Sequence, residues 1–423
     1  MAEISIRVES ETPEALSSAE RLARAIRPGT LMFTSLPPLS LYVHLPWCLK
    51  KCPYCDFNSH EWGARSDQTG TLPIEPYLSA LRADLESSLP LIWGRRIHSI
   101  FIGGGTPSLF PPEAIDQLLA DLRARLPLEP GCEITLEANP GTFEKDRFRG
   151  YRQAGVTRLS VGVQSFNDEK LRAIGRVHDA AQAHAAVEES ADAFDTFNID
   201  LMYALPGQTL SQFEADLNQA LAHVPPHLSI YHLTMEPNTY FAAHPPSGEL
   251  ALPDEELAFD MLDMIVQRTA SQGLQRYEVS AFAQEGHRCV HNLNYWQFGD
   301  YLGLGAGAHS KLTFPHRVVR EVRFRDPLRY MHQAEQGLAV AQVEEVRRKQ
   351  LPFEFMLNAM RLKEGVEAAH YPERTGLLKS TLEPGLTAAI QAGLMKETAK
   401  RLAPTDRGFD LLSDLQALFL PED

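Results

Sequence analysis

Cys48-Leu49-Lys50-Lys51-Cys52-Pro53-Tyr54-Cys55, directly after the apolar run Leu41-Tyr42-Val43-His44-Leu45-Pro46, decides how the rest of the chain is read. Its C-x3-C-x2-C spacing lets Cys48, Cys52 and Cys55 reach three corners of one iron-sulfur cube, which has four irons. One iron is then left without a protein ligand, and an open metal position is where a small molecule binds and reacts. Neither Cys132 nor Cys289 stands near enough in sequence to be an obvious fourth ligand. The bland alternatives are a zinc site or three unrelated buried thiols. Zinc calls for a fourth Cys or His at a short second spacing, and His44 and His60 give no familiar zinc pattern.

The 423 residues are enough for one large domain and a smaller one. No apolar run approaches the roughly 20 residues of a membrane span, so a soluble protein is expected. Net charge is -15, from 55 acidic and 40 basic residues. That balance disfavours nucleic acid as a partner, because neutralising phosphates needs clustered Lys and Arg. Five cysteines, three of them in one motif, make no disulfide framework, and thiolates that hold a cluster suit the cytoplasm. Residues 1–35 carry several acids and no apolar core of a signal peptide. Within them Glu14 to Ile26 reads as a short amphipathic helix on a weakly attached extension.

From Leu41 onward, short β-rich runs alternate with helical stretches. The strands are expected at Leu41 to Leu45, Ser99 to Ile102, Glu133 to Glu137, Arg158 to Val163, Asn198 to Met202 and Leu228 to Leu233. The helices between them are expected at Glu75 to Leu89, Pro112 to Leu126, Phe143 to Ala154, Asp168 to Ile174, Ala180 to Ala191 and Leu210 to Ala222. Such alternation predicts parallel strands with right-handed crossovers, here an α/β fold with a partial (β/α)6 TIM-like barrel. Function collects at the carboxyl ends of barrel strands. There stand Gly103-Gly104-Gly105-Thr106-Pro107, Glu137-Ala138-Asn139-Pro140, Gly162-Val163-Gln164-Ser165-Phe166 and Asp200-Leu201-Met202-Tyr203.

Past residue 240 the alternation fades. Pro253 to Ala270 reads as a helix and Leu274 to Phe282 as a strand, followed by His291-Asn292-Leu293-Asn294-Tyr295-Trp296. Beyond Phe324 only helical periodicity is expected, in Leu351 to Leu362, Leu382 to Ala392 and Thr405 to Phe419, with a hairpin from Gly393 to Leu402. The division is therefore an extension (1–35), a barrel (36–240), a barrel extension with the His291 motif (241–323) and a small helical, winged-helix-like domain (324–423). That last domain has no Lys- or Arg-rich recognition segment, which favours packing or protein contact over DNA.

The cysteine spacing, with an aromatic residue before the last cysteine, resembles the radical S-adenosylmethionine (SAM) superfamily. The resemblance implies a [4Fe-4S] cluster whose open iron is chelated by the amino and carboxylate groups of SAM. Tyr42-Val43-His44-Leu45-Pro46-Trp47-Cys48 and the four rim motifs resemble the HemN/HemW family, which joins oxygen-independent coproporphyrinogen III dehydrogenases to heme chaperones. By motif position that family's SAM contacts fall on Tyr42, Gly104, Gly105, Thr106, Glu137, Gln164, Arg176 and Asp200. Their chemistry suits the task. Glycine backbone can approach the methionine end closely, Arg176 can pair with a carboxylate, Glu137 or Asp200 can accept from ribose hydroxyls or ammonium, and Gln164 can donate and accept.

Two features lean toward the chaperone branch. Phe57 stands where the dehydrogenase branch carries a further cysteine, and the His291-Asn292-x-x-Tyr295-Trp296 run resembles the chaperone signature. The resemblance then implies heme as cargo, with His291 the leading candidate ligand to its iron. The alternative for His291 is plain packing against the barrel. Cys289 is a second thiolate option, read first as a buried structural thiol, and Cys132 is read as core. Further implications are heme-receiving proteins, respiratory membrane hemoproteins among them, an electron donor to the cluster, a homodimer, and a cytoplasmic location peripheral to the membrane. SAM cleavage is compatible with the resemblance, whereas coproporphyrinogen III dehydrogenase activity is the alternative reading.

Overall fold

A computed structural model describes residues 16–63, 70–142, 146–396 and 400–421. The first strand, β1 (Leu39–Leu45), shows why the core forms where it does. Leu39, Leu41, Val43 and Leu45 point to one face and are buried, while Ser40, Tyr42 and His44 face the barrel interior. After it, β2 (Trp47–Cys48) pairs in parallel with β3 (His60–Glu61), so the cysteine loop leaves and returns through one short ladder. Then come β4 (Ile97–Gly104), β5 (Leu128–Ala138), β6 (Arg158–Gln164), β7 (Phe197–Tyr203) and β8 (His227–His232), all parallel to β1 and each paired to the next. Both faces of these strands are covered, hence their near-continuous apolar runs.

Helices alternate with the strands as expected. They are α1 (Ser18–Ala25) before the barrel, then α2 (Ile74–Ile92), α3 (Pro112–Arg125), α4 (Arg147–Ala154), α5 (Asp168–Ala173), α6 (Ala180–Ala193) and α7 (Leu210–Ala222). Residues 143–145, where the fourth of these was expected to begin, lie outside the described residues, as does Glu14 ahead of α1. The extension is not loosely attached. Ser17 caps α1 in a capping box, buried Arg21 pairs with Glu321 at 3.0 Å, and Leu31 and Phe33 donate backbone bonds to His316 and Pro315. A polar helix on an acidic leader carries no sign of the distant carboxylate that holds it.

The later chain adds more sheet than its periodicity suggests. Following α8 (Tyr240–Ala243) and α9 (Glu255–Ser271), the stretch expected as one strand is a hairpin of β9 (Gln275–Arg276) and β10 (Ala281–Ala283), with β10 antiparallel to β8. Beyond α10 (Val290–Trp296), β11 (Asp300–Leu304) pairs in parallel with the free side of β1. The antiparallel strands β12 (His309–Phe314), β13 (Arg317–Arg323) and β14 (Val340–Glu345) continue that edge, with α11 (Pro327–Glu335) between the last two. The twelve strands form one sheet in the order β14-β13-β12-β11-β1-β4-β5-β6-β7-β8-β10-β9. Strand β14 was missed because an edge strand ending in Glu344-Glu345, mostly exposed, has little apolar alternation.

A second hydrophobic cluster gathers α12 (Leu351–Ala359), through Phe355 and Met356, with Tyr371, Leu415 and Phe419, and takes in Leu31, Phe298 and Val318 from the main body. Here β15 (Val366–Glu367) pairs with β16 (Arg401–Leu402). The expected hairpin is described only in part, since 397–399 lie outside. The expected helix Thr405 to Phe419 breaks at Leu411 into Asp406–Asp410 and Leu412–Ala417, and its predecessor shortens to Gly385–Gln391 behind Pro384.

One buried ionic knot ties α1, α2, α11 and β13 together. Arg323 lies 3.4 Å from Asp84 and 3.3 Å from Glu321, Tyr330 donates to Asp84 at 2.9 Å, and the Arg323 and Asp84 side chains are fully buried. Removing one member leaves the others charged and unpaired, at a cost of about 3–5 kcal/mol. Arg323→Met is therefore expected to lower the denaturant midpoint by that equivalent; an unchanged midpoint would show that the knot holds nothing.

Candidate cofactor site

The cysteine loop is seated by its neck. His60 donates its backbone N–H to the Pro46 carbonyl, Trp62 to that of Cys48, Gly105 to that of Leu45 and Thr106 to that of Trp47, all at 2.7–3.0 Å. The two glycines allow this fit: a Cβ on Gly104 would stand 2.8 Å from the His44 ring, and one on Gly105 would stand 2.6 Å from the Trp47 carbonyl. The amides of Gly104, Gly105 and Thr106 are thus engaged within the protein, Gly104 with Glu137 at 3.1 Å. What this stretch offers a ligand is close backbone approach, not free N–H donors.

Cys48, Cys52 and Cys55 are all free and all line one cavity of about 400 Å³ at the carboxyl ends of the strands, within the range of small-molecule sites. Burial pushes the Cys48 thiol up to about 11, opposed by hydrogen bonding to the Thr106 hydroxyl. The uncharged thiol must lose its proton to ligate, so metal loading releases protons. Among the described residues no three His, Cys, Asp or Glu side chains are gathered closely enough for a single metal ion. A cube places each thiolate on a different iron, a wider arrangement.

The other walls carry the charged groups. Arg176 reaches the Gly162 carbonyl and lies 3.8 Å from the Cys52 sulfur, and its buried Nε has no partner among the described residues. Space for it comes from Gly162, where a Cβ would meet Gln164 at 3.1 Å and Arg176 at 3.4 Å. Gln164 holds a left-handed φ of 70°, uncommon for a residue that carries a side chain. Burial, with the Asp200 charge beside it, pushes the Glu137 carboxyl up to about 8. Burial raises Asp200 to about 6 against hydrogen bonds from Asn198 and Ser160. Two strained carboxyls and an incompletely paired guanidinium around three free thiols fit a ligand with its own ammonium, hydroxyls and carboxylate.

Of the expected SAM contacts, Gly104, Gly105, Thr106, Glu137, Gln164, Arg176 and Asp200 line this cavity. Tyr42 does not; it hydrogen-bonds His44 at 2.8 Å and opens on a second cavity. His291 lines neither. It is buried, hydrogen-bonded to Ser99 at 3.1 Å, and packed against Phe101 and Tyr295, with Nε2 unpartnered among the described residues. Its motif clasps the C-terminal cluster to the barrel, for Asn294 bonds Ser40 and Asp300 while Trp296 stacks under Arg361. Cys289 is buried, and burial holds its thiol up at about 12; Cys132 is half-buried beside the core. Sequence reasoning missed Tyr54, Ser160, Met202, Tyr231, His232 and Glu236 on the cavity wall. The signal for the last three was the carboxyl end of β8, from which no site residue was taken.

A parallel half-barrel with three thiols at its carboxyl rim defines a radical SAM protein, and the Radical SAM superfamily model matches residues 42–220, with the HemN C-terminal domain at 346–411. The solved structure of coproporphyrinogen III oxidase (HemN) from Escherichia coli shares the fold, with a TM-score of 0.77 over 97% of this chain and 94% of that one at 24% identity. Proteins named Heme chaperone HemW match along nearly their whole length. Those of Haemophilus influenzae and Escherichia coli are each 45% identical over 92% of this chain and 99% of theirs, and that of Bacillus subtilis is 32% identical over 90% and 99%. The chain belongs to the HemW family of radical SAM proteins.

Because the Glu137 carboxyl titrates above the usual carboxylate range in the folded chain, the stability it contributes is present in acid and lost as pH rises through about 8. Glu137→Gln keeps an acceptor for Gly104 without the charge. Its thermal midpoint in the unliganded protein is expected to equal that of the natural chain near about pH 4 and to exceed it by a few degrees near about pH 9. Equal midpoints at both would refute a buried, unpaired carboxylate.

Proposed function

We propose that this protein is a heme chaperone that carries a [4Fe-4S] cluster on Cys48, Cys52 and Cys55, takes SAM at the open iron, binds heme and delivers it to target hemoproteins. The observation that carries this reading is 45% identity across 99% of two relatives named Heme chaperone HemW. When bound, the cluster and SAM supply a one-electron route to breaking a sulfonium bond. Arg176 sets a fixed positive charge for a carboxylate, and Glu137 and Asp200 accept from ammonium and ribose hydroxyls once ionised. Gln164, close to Arg176 over Gly162, donates and accepts. Thr106 and Ser59 hydroxyls bond the Cys48 sulfur and favour its thiolate form.

In this reading the partners are an electron donor for the cluster, a second copy of the chain, and heme-receiving proteins, respiratory membrane hemoproteins among them. No described helix is long and apolar enough to cross a membrane. We place the protein in the cytoplasm, peripheral at the membrane face where such recipients sit. No nucleic acid enters the scheme.

The decisive experiment uses anaerobically reconstituted protein, heme, an apo-hemoprotein acceptor and coproporphyrinogen III. Stoichiometric heme uptake and transfer, with no vinyl product from coproporphyrinogen, is the expected result. Vinyl formation would overturn the reading in favour of oxidative decarboxylation. Each of Cys48→Ala, Cys52→Ala and Cys55→Ala is expected to lose most of the cluster's visible absorption and Mössbauer signal, while Cys132→Ala and Cys289→Ala retain them. Retention in any of the first three would remove that residue from the ligand set.

A further inference from the structure

A second cavity, of about 470 Å³, lies against the same cysteine loop. Asp56 and Phe57 line both cavities, so the residue at the dehydrogenase branch's extra cysteine position is here part of a partition between them. Asn58 pins this partition in place by donating to the Ala306 and Arg325 carbonyls at 2.9 Å. A Cβ on Gly307 would stand 2.4 Å from the Asn58 amide, so that glycine makes room for the pin. The remaining walls are Tyr42, Tyr295 and Tyr301, with His44, His309 and Arg325.

Three tyrosine rings and Phe57, set among polar side chains, suit a flat aromatic molecule with charged edges. Two imidazoles reach the cavity and differ in availability. His44 is engaged at both nitrogens, with the Tyr42 hydroxyl at 2.8 Å and the Asn58 carbonyl at 2.9 Å. His309 is exposed, and among the described residues neither of its nitrogens has a hydrogen-bond partner. Partial enclosure of the ring by the cavity wall, with Arg320 and Arg325 close by, lowers its pKa and favours the neutral form that ligates iron. Arg325 bonds Asn58 through Nε at 3.3 Å and presents its terminal nitrogens without a described acceptor. A guanidinium so placed suits a carboxylate.

We propose that this second cavity is where heme is held, with His309 as the protein ligand to its iron and Arg325 as the partner of a propionate. The assignment rests on the chaperone reading and adds the place and the ligand. His291 then serves the clasp between barrel and C-terminal cluster, with no direct bond to iron.

The test titrates heme into reconstituted full-length protein and follows the Soret band and the resonance Raman signature of iron-imidazole ligation. Cluster content serves as the check on folding. His309→Gly is expected to lose the imidazole signature and weaken binding about tenfold or more, and added imidazole is expected to restore the signature. Arg325→Gln is expected to weaken binding several-fold and leave the signature intact, and His291→Ala to keep it. An imidazole signature persisting in His309→Gly, or no rescue by added imidazole, overturns this assignment and leaves the chaperone reading standing. Failure of the natural protein to take up heme at all overturns both.

Discussion

The arrangement of the site depends on how the cysteine loop is stitched to the rim. Four backbone hydrogen bonds join its neck to Pro46, Cys48, Leu45 and Trp47, two of them donated by residues that follow β4. Backbone bonds in a buried setting fix position more tightly than side-chain contacts on a flexible loop. The loop's interior is braced as well, by Lys51 donating to the Phe57 and Ser59 carbonyls at 3.2 Å. Three thiols can therefore share one cavity although the segment between them has no regular structure.

Charge is handled differently in the two halves of the molecule. At the far edge, Arg323, Asp84, Glu321 and Arg21 are buried with opposite charges at hydrogen-bond distance, and their work is to hold elements together. At the rim, Glu137 and Asp200 lie side by side with like charge, and among the described residues no cation is hydrogen-bonded to either, Arg176 acting on Asp200 only from a distance. Such a pair costs stability in the absence of ligand and is the usual sign of a site prepared for one.

Much of the barrel was legible because its strands follow the rule of both-face burial and its motifs fall at the strand ends. The six parallel strands from β1 to β8 and most of the cavity wall could be placed from Val43, Ile102, Leu136, Val161, Ile199 and the polar residues after them. Local pattern failed where the partner was distant in sequence. Arg21 meets Glu321, β11 pairs with β1, and Asn58 bonds Ala306, contacts that span most of the chain and leave no mark on composition. Tyr42 sits on β1 where the strand pattern puts it, and its side chain bonds His44 and opens on the second cavity.

Asp200 is anchored from underneath. Ser160 and Asn198 hold its two oxygens at 3.0 and 2.8 Å, Asn198 is gripped by His227 at 2.6 Å, His227 meets the Tyr277 hydroxyl at 2.9 Å, and that hydroxyl receives the Cys289 amide. This polar column runs down through the barrel like a plumb line, so the aim of a rim carboxylate is set partly by side chains near the foot. A lesion at Tyr277 or His227 is in that sense a lesion of the mouth, delivered through Asn198 to a carboxylate that opens onto it.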